Sequence, residues 1–138
     1  MDSSSHVSSR APEPVGPYSH FRRAGGLLFL AGIGPRVRGT KEVPGVRLGP
    51  DGEVESYDFD LQCRQVFENV RLVLEDAGSS WDKIVDVTVF LTDMGDFVAM
   101  NRLYAEAFAA NKPTRTTVEV GRLPTPIAIE LKVIATIG

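Results

Sequence analysis

The sequence predicts an α/β protein of the α+β kind, with one mixed β-sheet and two helices packed on one face of it. Two segments repeat apolar residues at helical spacing, whereas the other apolar segments are short and rich in β-branched residues, as strands are. Along the chain the order is strand, strand, loop, helix, strand, helix, strand, strand. That order suits a single sheet whose helices lie together on one side.

The first residues differ in composition from the rest of the chain. Residues 1–10 are polar and rich in serine, with little to bury, so we predict a disordered N-terminal tail. The proline-rich segment 11–17 is unsuited to helix and should run extended. A chain of 138 residues has room for one domain, which we place at residues 11–138.

The next part of the chain predicts a hairpin and a long connection. Tyr18–Arg23 and Leu27–Ile33 are two short runs separated by Gly25-Gly26, a pattern typical of a β-hairpin. Residues 34–55 carry glycines, prolines and charges with only brief apolar pieces. They form either a loop near the site or an irregular edge hairpin.

Two helices follow from the apolar spacing and from the residues that flank it. Residues 58–77 carry one apolar stripe at spacings of three and four, and Gly78 is placed to end this helix in a left-handed conformation. Asp96 can cap a second helix, and Pro113 ends the region that contains it.

The remaining strands predict a sheet whose two apolar faces cannot both be covered by the two helices. The segment 84–91 is almost continuously apolar, and segments 114–120 and 127–137 complete the predicted sheet. Three strands have apolar residues on both faces, but only two helices are available to cover them. A second copy of the same sheet would cover the bare face, so we predict a closed homo-oligomer.

Composition excludes several classes of partner. The formal net charge of −3 gives no electrostatic reason to bind nucleic acid or an acidic membrane surface. The single cysteine allows no intrachain disulfide, the N-terminus has no apolar core of signal-peptide length, and no run is long enough to cross a membrane. We expect a cytoplasmic protein.

The motifs of common catalytic chemistries are absent. The only histidines are His6 and His20, without a CxxC or HxE motif, so neither zinc deamination nor another metal-dependent reaction is expected. Cys63 lies on the apolar stripe of the first helix, where cysteine usually acts as a small hydrophobic residue. Neither GxSxG, a P-loop nor GxGxxG occurs.

Two charged residues interrupt predicted strands and remain as candidate functional residues. Arg115 lies among β-branched residues, where an unpaired guanidinium is costly to bury. Three interpretations remain open for Arg115. It pairs with a carboxylate such as Glu119, it is simply exposed, or its rigid guanidinium binds a substrate carboxylate through two hydrogen bonds. Glu130 interrupts the apolar run 127–131, although strand alternation alone would also explain it as an exposed residue.

Taken together, several short pieces resemble the RidA/YjgF (Rid) family from Ala11 to Ile137. No single piece is specific, but their order and spacing are. They are Ala11-Pro12, Val15-Gly16-Pro17-Tyr18, Leu30-Ala31-Gly32, the run from Asp86 to Asp93, Asp96-Phe97 with Asn101 and Tyr104, Pro113-Thr114-Arg115, Leu123-Pro124, Ile129-Glu130 and Ile134-Ala135.

The resemblance implies a chorismate-mutase-like fold and a homotrimer with active sites in the clefts between subunits. It implies two catalytic residues: Arg115, which also binds the substrate carboxylate, and Glu130, which positions or activates water. It also implies that Gly32 supplies a backbone contact, that Tyr18 lines the cleft and that Asn101 is associated with it.

Two positions depart from the pattern of the family. A cysteine is common two residues after the arginine, where this chain has Thr117, and a second acidic residue is common where it has Lys132. Both changes caution against assuming the usual substrate. The implied chemistry is hydrolysis of an enamine or imine to release ammonia, and it needs neither cofactor nor metal.

The preferred substrate depends on the loop after Gly32. Arg36 and Arg38 are either solvated loop residues or a second carboxylate clamp, with Arg36 the favoured substrate contact. The loop and the ending from Pro124 to Lys132 resemble Rid proteins associated with 2-aminomuconate deamination in aromatic-compound and tryptophan catabolism. General clearance of 2-aminoacrylate-type imines is the alternative, and a non-catalytic small-molecule-binding or chaperone-like trimer is an alternative of another class.

Overall fold

A computed structural model describes residues 7–137 of the chain. Its main sheet has five strands and a separate small sheet has two. In chain order the helices and strands are β1 (Phe21–Ala24), β2 (Leu27–Leu30), β3 (Val46–Leu48), β4 (Val54–Tyr57), α1 (Phe59–Asp76), β5 (Ile84–Leu91), α2 (Phe97–Ala107), β6 (Thr114–Glu119) and β7 (Ile129–Thr136). Single 3₁₀ turns at Trp81–Lys83 and Met94–Asp96 precede β5 and α2.

The main sheet is mixed, as predicted. Its strand order is β1-β2-β7-β5-β6, in which β5 and β6 run parallel and the other neighbours are antiparallel. Alternate residues of β5 and β7 are buried in the hydrophobic core with the apolar stripe of α1. The predicted class, one main sheet with two helices, is therefore confirmed.

The helix boundaries lie within one residue of the prediction for α1, and Asp96 occupies the N-cap position of α2 as predicted, although not through its side chain. Asp58 caps α1 by accepting a hydrogen bond from the Leu61 amide at 3.2 Å, and Gly78 follows with a φ of +83°. The side chain of Asp96 makes no capping hydrogen bond to α2. It accepts a hydrogen bond from the Tyr57 hydroxyl at 2.6 Å instead, which joins the end of β4 to the start of α2.

The connection over residues 34–55 contains an irregular hairpin, one of the two predicted alternatives. Strands β3 and β4 pair with each other antiparallel, with a register shift after Arg47. They form a sheet of their own and do not extend the edge of the main sheet. The hairpin is therefore not at the edge of the main sheet, which carries the candidate site.

The N-terminal segment packs on the domain from residue 7 onward. Ser8 is fully buried, its amide donates to Nδ1 of His20 at 2.7 Å, and its hydroxyl donates to Asp76. Arg10 forms an ion pair with Asp76 at 2.6 Å. Residues 7–10 thus belong to the ordered domain, unlike the predicted tail, whose remaining residues 1–6 lie outside the described part of the chain.

The face of the main sheet opposite the helices carries mixed side chains. On β7 the residues that alternate with the core are Glu130, Lys132 and Ile134, each partly buried. Neither of the two helices covers this face, so the predicted homo-oligomer remains a prediction. Across residues 7–137 the structure contains no helix with the length and apolar character that a membrane span requires.

Candidate active site

A cavity of about 730 Å³ opens on the helix-free face of the sheet, where β7 meets the segments that flank the β1–β2 hairpin. Its volume is typical of a site for a small molecule. The lining includes four of the predicted site residues, Tyr18, Gly32, Arg36 and Glu130, and it also includes Lys132. Of the six predicted site residues, Arg115 and Asn101 do not line this cavity, whereas Lys132, which does, was noted from the sequence only as a departure from the family pattern.

Glu130 reaches the cavity because Gly32 leaves room for it. Backbone hydrogen bonds of 2.8 and 2.9 Å join Ile33 to Leu131 and align the two segments. The Glu130 carboxylate then lies directly against Gly32, where a Cβ would collide with a carboxylate oxygen and lie 3.0 Å from Cδ. Burial raises the pKa of Glu130 above its usual range. No hydrogen bond or ion pair engages its side chain within residues 7–137.

The other predicted contacts in the cavity are held by the N-terminal segment. The Tyr18 hydroxyl accepts a hydrogen bond from the Val15 amide at 3.2 Å, and the side chain is exposed. Arg36 donates to the Glu13 carbonyl at the cavity wall. Arg38 donates to the Ala11 carbonyl at 2.7 Å and does not line the cavity. Of the two loop arginines, only Arg36 lies where a second carboxylate could reach it.

Arg115 lies on the other side of the sheet. Its partner in the parallel register of β6 and β5 is Val87, a core residue, so both side chains point toward the helices. The guanidinium lies 4.7 Å from the ring centroid of Tyr104 and 5.7 Å from that of Phe97. These contacts are cation–π interactions on the surface of α2.

Arg115 has no carboxylate partner in the described part of the chain. Glu119, the candidate partner named from the sequence, instead accepts a hydrogen bond from the Met94 amide at 2.7 Å. The alternative of an Arg115–Glu119 ion pair is therefore wrong. The guanidinium contacts the aromatic rings and Met100 Sδ at 3.9 Å. These contacts leave N–H donors of the guanidinium available for two parallel hydrogen bonds to a carboxylate.

Further polar groups cluster around Arg115. Thr117 follows it on the same face of β6, and both Thr117 Oγ1 and the Tyr104 hydroxyl are buried without a hydrogen-bond partner among residues 7–137. Asn101 lies on α2 between Phe97 and Tyr104 at helical spacings of four and three, so the three share one face. We call this group, Asn101, Tyr104, Arg115 and Thr117, the arginine cluster.

One chain does not bring Arg115 and Glu130 together. Strand β5 separates β6 from β7, which places the two strands about 10 Å apart. Arg115 is level with Val87 and Glu130 with Phe90, a further offset of about 10 Å along the strands. The two side chains also point to opposite faces. Sequence reasoning identified both residues but gave no signal for this separation, because it depends on which strands are neighbours.

The Cys63 thiol belongs to the hydrophobic core and does not line the cavity. Cys63 is fully buried in the core, and burial raises the pKa of its thiol to about 12, so it is protonated near neutral pH. In the part of the chain that the structure describes, no three residues among histidine, cysteine, aspartate and glutamate are grouped so that they could hold a metal ion.

The fold and site together define a two-layer α+β protein with a carboxylate-lined cavity on the open face of its sheet and an arginine cluster on the other. Residues 8–137 match the family model described as Endoribonuclease L-PSP, and the chain belongs to that family, which includes the RutC and RidA proteins. The resemblance to RidA/YjgF is thereby confirmed at family level, whereas the 2-aminomuconate subtype remains a prediction.

Relatives and solved structures cover almost the whole chain. A RutC family protein of Pyrococcus horikoshii is 44% identical over 128 residues, which is 93% of each chain. Reactive Intermediate Deaminase A of Arabidopsis thaliana, a chloroplastic protein, is 32% identical over 130 residues, or 94% of this chain and 64% of that protein. The crystal structure of E. coli TdcF with bound serine has a TM-score of 0.83 at 33% identity and covers 98% of this chain and 99% of the other.

Proposed function

We propose that this protein is a hydrolytic deaminase that releases ammonia from enamines or imines bearing a carboxylate. The observation that carries the proposal is the complementarity of two unpaired groups. Among residues 7–137, Glu130 is a partly buried carboxylate in the cavity with no hydrogen-bond or ion-pair partner, and Arg115 is a guanidinium held against aromatic rings with no carboxylate partner. A substrate with a carboxylate next to its C=N bond needs a guanidinium to bind that carboxylate and a carboxylate to transfer protons at the C=N bond.

The reaction needs few residues. An enamine first tautomerises to the imine, water then adds to the carbon of the C=N bond, and the carbinolamine expels ammonia to leave a ketone. In the proposed site Glu130 passes a proton from the attacking water to the imine nitrogen, and then passes the hydroxyl proton of the carbinolamine to the departing amine. Both protons of the water thus leave on ammonia, and the carboxylate is regenerated. General acid–base assistance of this kind contributes about two to four powers of ten to the rate. Binding of the carboxylate by Arg115 supplies orientation.

The site is completed by a second copy of the chain. Because Arg115 and Glu130 lie on opposite faces of one sheet, a cleft that contains both takes each from a different copy. The helix-free face that carries the cavity then lies against a neighbouring subunit, which also removes its apolar residues from water. A closed trimer is the assembly that we propose, with three equivalent clefts.

Two relatives support a small-molecule substrate. The Arabidopsis relative is named a reactive intermediate deaminase, and the TdcF structure holds serine, which carries a carboxylate next to its amino-bearing carbon. The family model is described as an endoribonuclease, but the net charge of −3 offers no general attraction to phosphates. We therefore propose deamination rather than cleavage of RNA.

The finer proposal is that the substrate is a dicarboxylate such as 2-aminomuconate. It requires a cation in the cavity for the second carboxylate, and the candidate named from the sequence is Arg36, which lines the cavity but first has to release the Glu13 carbonyl. General hydrolysis of 2-aminoacrylate-type imines requires no such contact and remains the alternative. The Arabidopsis deaminase supports general imine clearance, and no relative described above is named for 2-aminomuconate.

Ammonia release from freshly generated 2-aminoacrylate and 2-aminomuconate tests the proposal. The purified protein should accelerate release from at least one of them above the rate in buffer, and native mass spectrometry should show three chains. Arg36→Ala should lower kcat/KM for 2-aminomuconate by about tenfold if Arg36 binds the second carboxylate, since that loss corresponds to about 1.4 kcal/mol. A folded protein that accelerates neither reaction would contradict the proposed activity.

A further inference from the structure

Lys132 is an ammonium group inside the candidate active site that the proposed reaction does not use. Its side chain follows Glu130 on the same face of β7 and lines the same cavity. Its Nζ donates a hydrogen bond to the Leu30 carbonyl. Burial lowers the pKa of the amine, because the charged form loses hydration that this single carbonyl only partly replaces.

No acidic side chain neutralises Lys132 within residues 7–137. Its nearest acidic neighbour on the strand is Glu130, and the two do not form an ion pair. Glu13, another carboxylate that lines the cavity, accepts a hydrogen bond from the Gly39 amide at 3.4 Å instead. An ammonium has three donors, so Lys132 keeps two for a ligand in the cavity.

We propose that Lys132 binds a second anionic group of the substrate, at the end opposite the carboxylate held by Arg115, and so selects dicarboxylate enamines or imines. This inference rests on the proposed function, because it assumes that Glu130 acts at the C=N carbon. Two residues along a strand span about 7 Å, roughly the length of a chain of four or five carbons. The second anionic group therefore lies about four bonds from the C=N carbon.

This assignment differs from the one based on the loop arginines. Arg38 is outside the cavity, and Arg36 must release a backbone carbonyl before it can bind a carboxylate. Lys132 can bind an anion while its bond to Leu30 persists. A bound anion would also offset the cost of burying the ammonium, because an opposite charge favours the charged form.

The test compares two imines that differ only in the distal group. Amino acid oxidases generate 2-iminoadipate from 2-aminoadipate and 2-iminohexanoate from norleucine, and ammonia release gives kcat/KM for each. We expect the wild-type protein to favour 2-iminoadipate by about tenfold or more, and Lys132→Met to reduce that ratio by about tenfold. Lys132→Arg should retain most of the preference. Lys41→Met, at an exposed lysine outside the cavity, is the matched control and should leave the ratio unchanged.

Equal ratios in the wild type and Lys132→Met, with both proteins folded by thermal melting, would overturn the inference while leaving the deaminase proposal intact. If the wild type accelerates hydrolysis of neither imine and also fails with 2-aminoacrylate and 2-aminomuconate, the proposed function fails. Calorimetric affinities for adipate and hexanoate then decide the role of Lys132 separately. Tighter binding of adipate that Lys132→Met abolishes would support an anion site, and equal binding of both acids would refute it.

Discussion

The carboxylate of Glu130 lies against the α-carbon of Gly32, so closely that a Cβ on Gly32 would lie 3.0 Å from Cδ and collide with a carboxylate oxygen. Gly32 therefore makes space for the carboxylate, a role different from the backbone contact implied by the family resemblance. The close approach also explains why position 32, the second residue after β2, must be small although its backbone conformation is open to any residue.

Gly32→Ala should displace the Glu130 side chain and reduce deamination by at least about tenfold, given the usual size of general acid–base contributions. The fold should persist, because the obstructing atom belongs to a side chain and not to the backbone. Steady-state kinetics of ammonia release measure the effect. Gly26→Ala is the matched control, since a Cβ there meets nothing within 4 Å. Full activity in Gly32→Ala would mean that the position of Glu130 does not matter.

The raised pKa of Glu130 predicts the acidic limb of the pH profile. A carboxylate whose pKa is raised remains protonated to a higher pH than usual, and the protonated form cannot accept a proton from water. Activity should therefore fall as the pH decreases through a midpoint above 4.5, the ordinary value for glutamate. Glu130→Gln should remove most of the activity, while Glu106→Gln, at an exposed glutamate on α2, should keep both rate and midpoint. A wild-type midpoint at or below 4.5 would contradict the assignment.

Arg115→Ala should reduce kcat/KM about tenfold to a hundredfold or more for every carboxylate substrate, because a charge-assisted hydrogen bond contributes about 1.5–3 kcal/mol. Arg115→Lys should recover little, since an ammonium cannot reproduce the planar two-point contact. Thermal melting should show that both variants fold. Arg64→Ala, at an exposed arginine on α1, serves as the control. Unchanged turnover in Arg115→Ala would remove this residue from the mechanism.

Neither a thiol nor a metal ion should be required. Cys63 is fully buried and its thiol is protonated at neutral pH, so Cys63→Ala should change kcat/KM by less than about twofold. Activity should also survive dialysis against EDTA. The same ammonia assay measures both effects. Loss of turnover in a variant or dialysed sample that remains folded would show that the chemistry has been misassigned.

The sequence predicted the parts of this molecule that depend on local patterns. The apolar spacing of α1, Gly78 after it and the β-branched run of β5 each specify an element without reference to the rest of the chain. Asp96 lies at the N-cap position of α2 as expected, but its carboxylate makes no capping hydrogen bond and instead accepts one from a more distant residue, Tyr57. Such long-range contacts leave no local signal.

The sequence predicted the individual residues of the candidate site but not their positions relative to one another. Strand alternation identified Arg115 and Glu130 as interruptions, yet the face on which each lies depends on the register of β5 with β6 and β7. Their separation became visible only once the strand order was known. The buried Ser8 was missed for a related reason, because its partner His20 is twelve residues away in the sequence.

The central claim, that Arg115 and Glu130 act in one cleft formed by two copies of the chain, is tested most directly by mixing two inactive variants. Arg115→Ala and Glu130→Gln are unfolded together in equal amounts, refolded together and assayed for ammonia release, with each variant refolded alone as the control. If each cleft takes its arginine and its glutamate from different copies, about one cleft in four contains both, and about a quarter of wild-type activity returns. If the mixed sample is no more active than the separate variants, the two residues do not meet across a subunit boundary and the account is wrong.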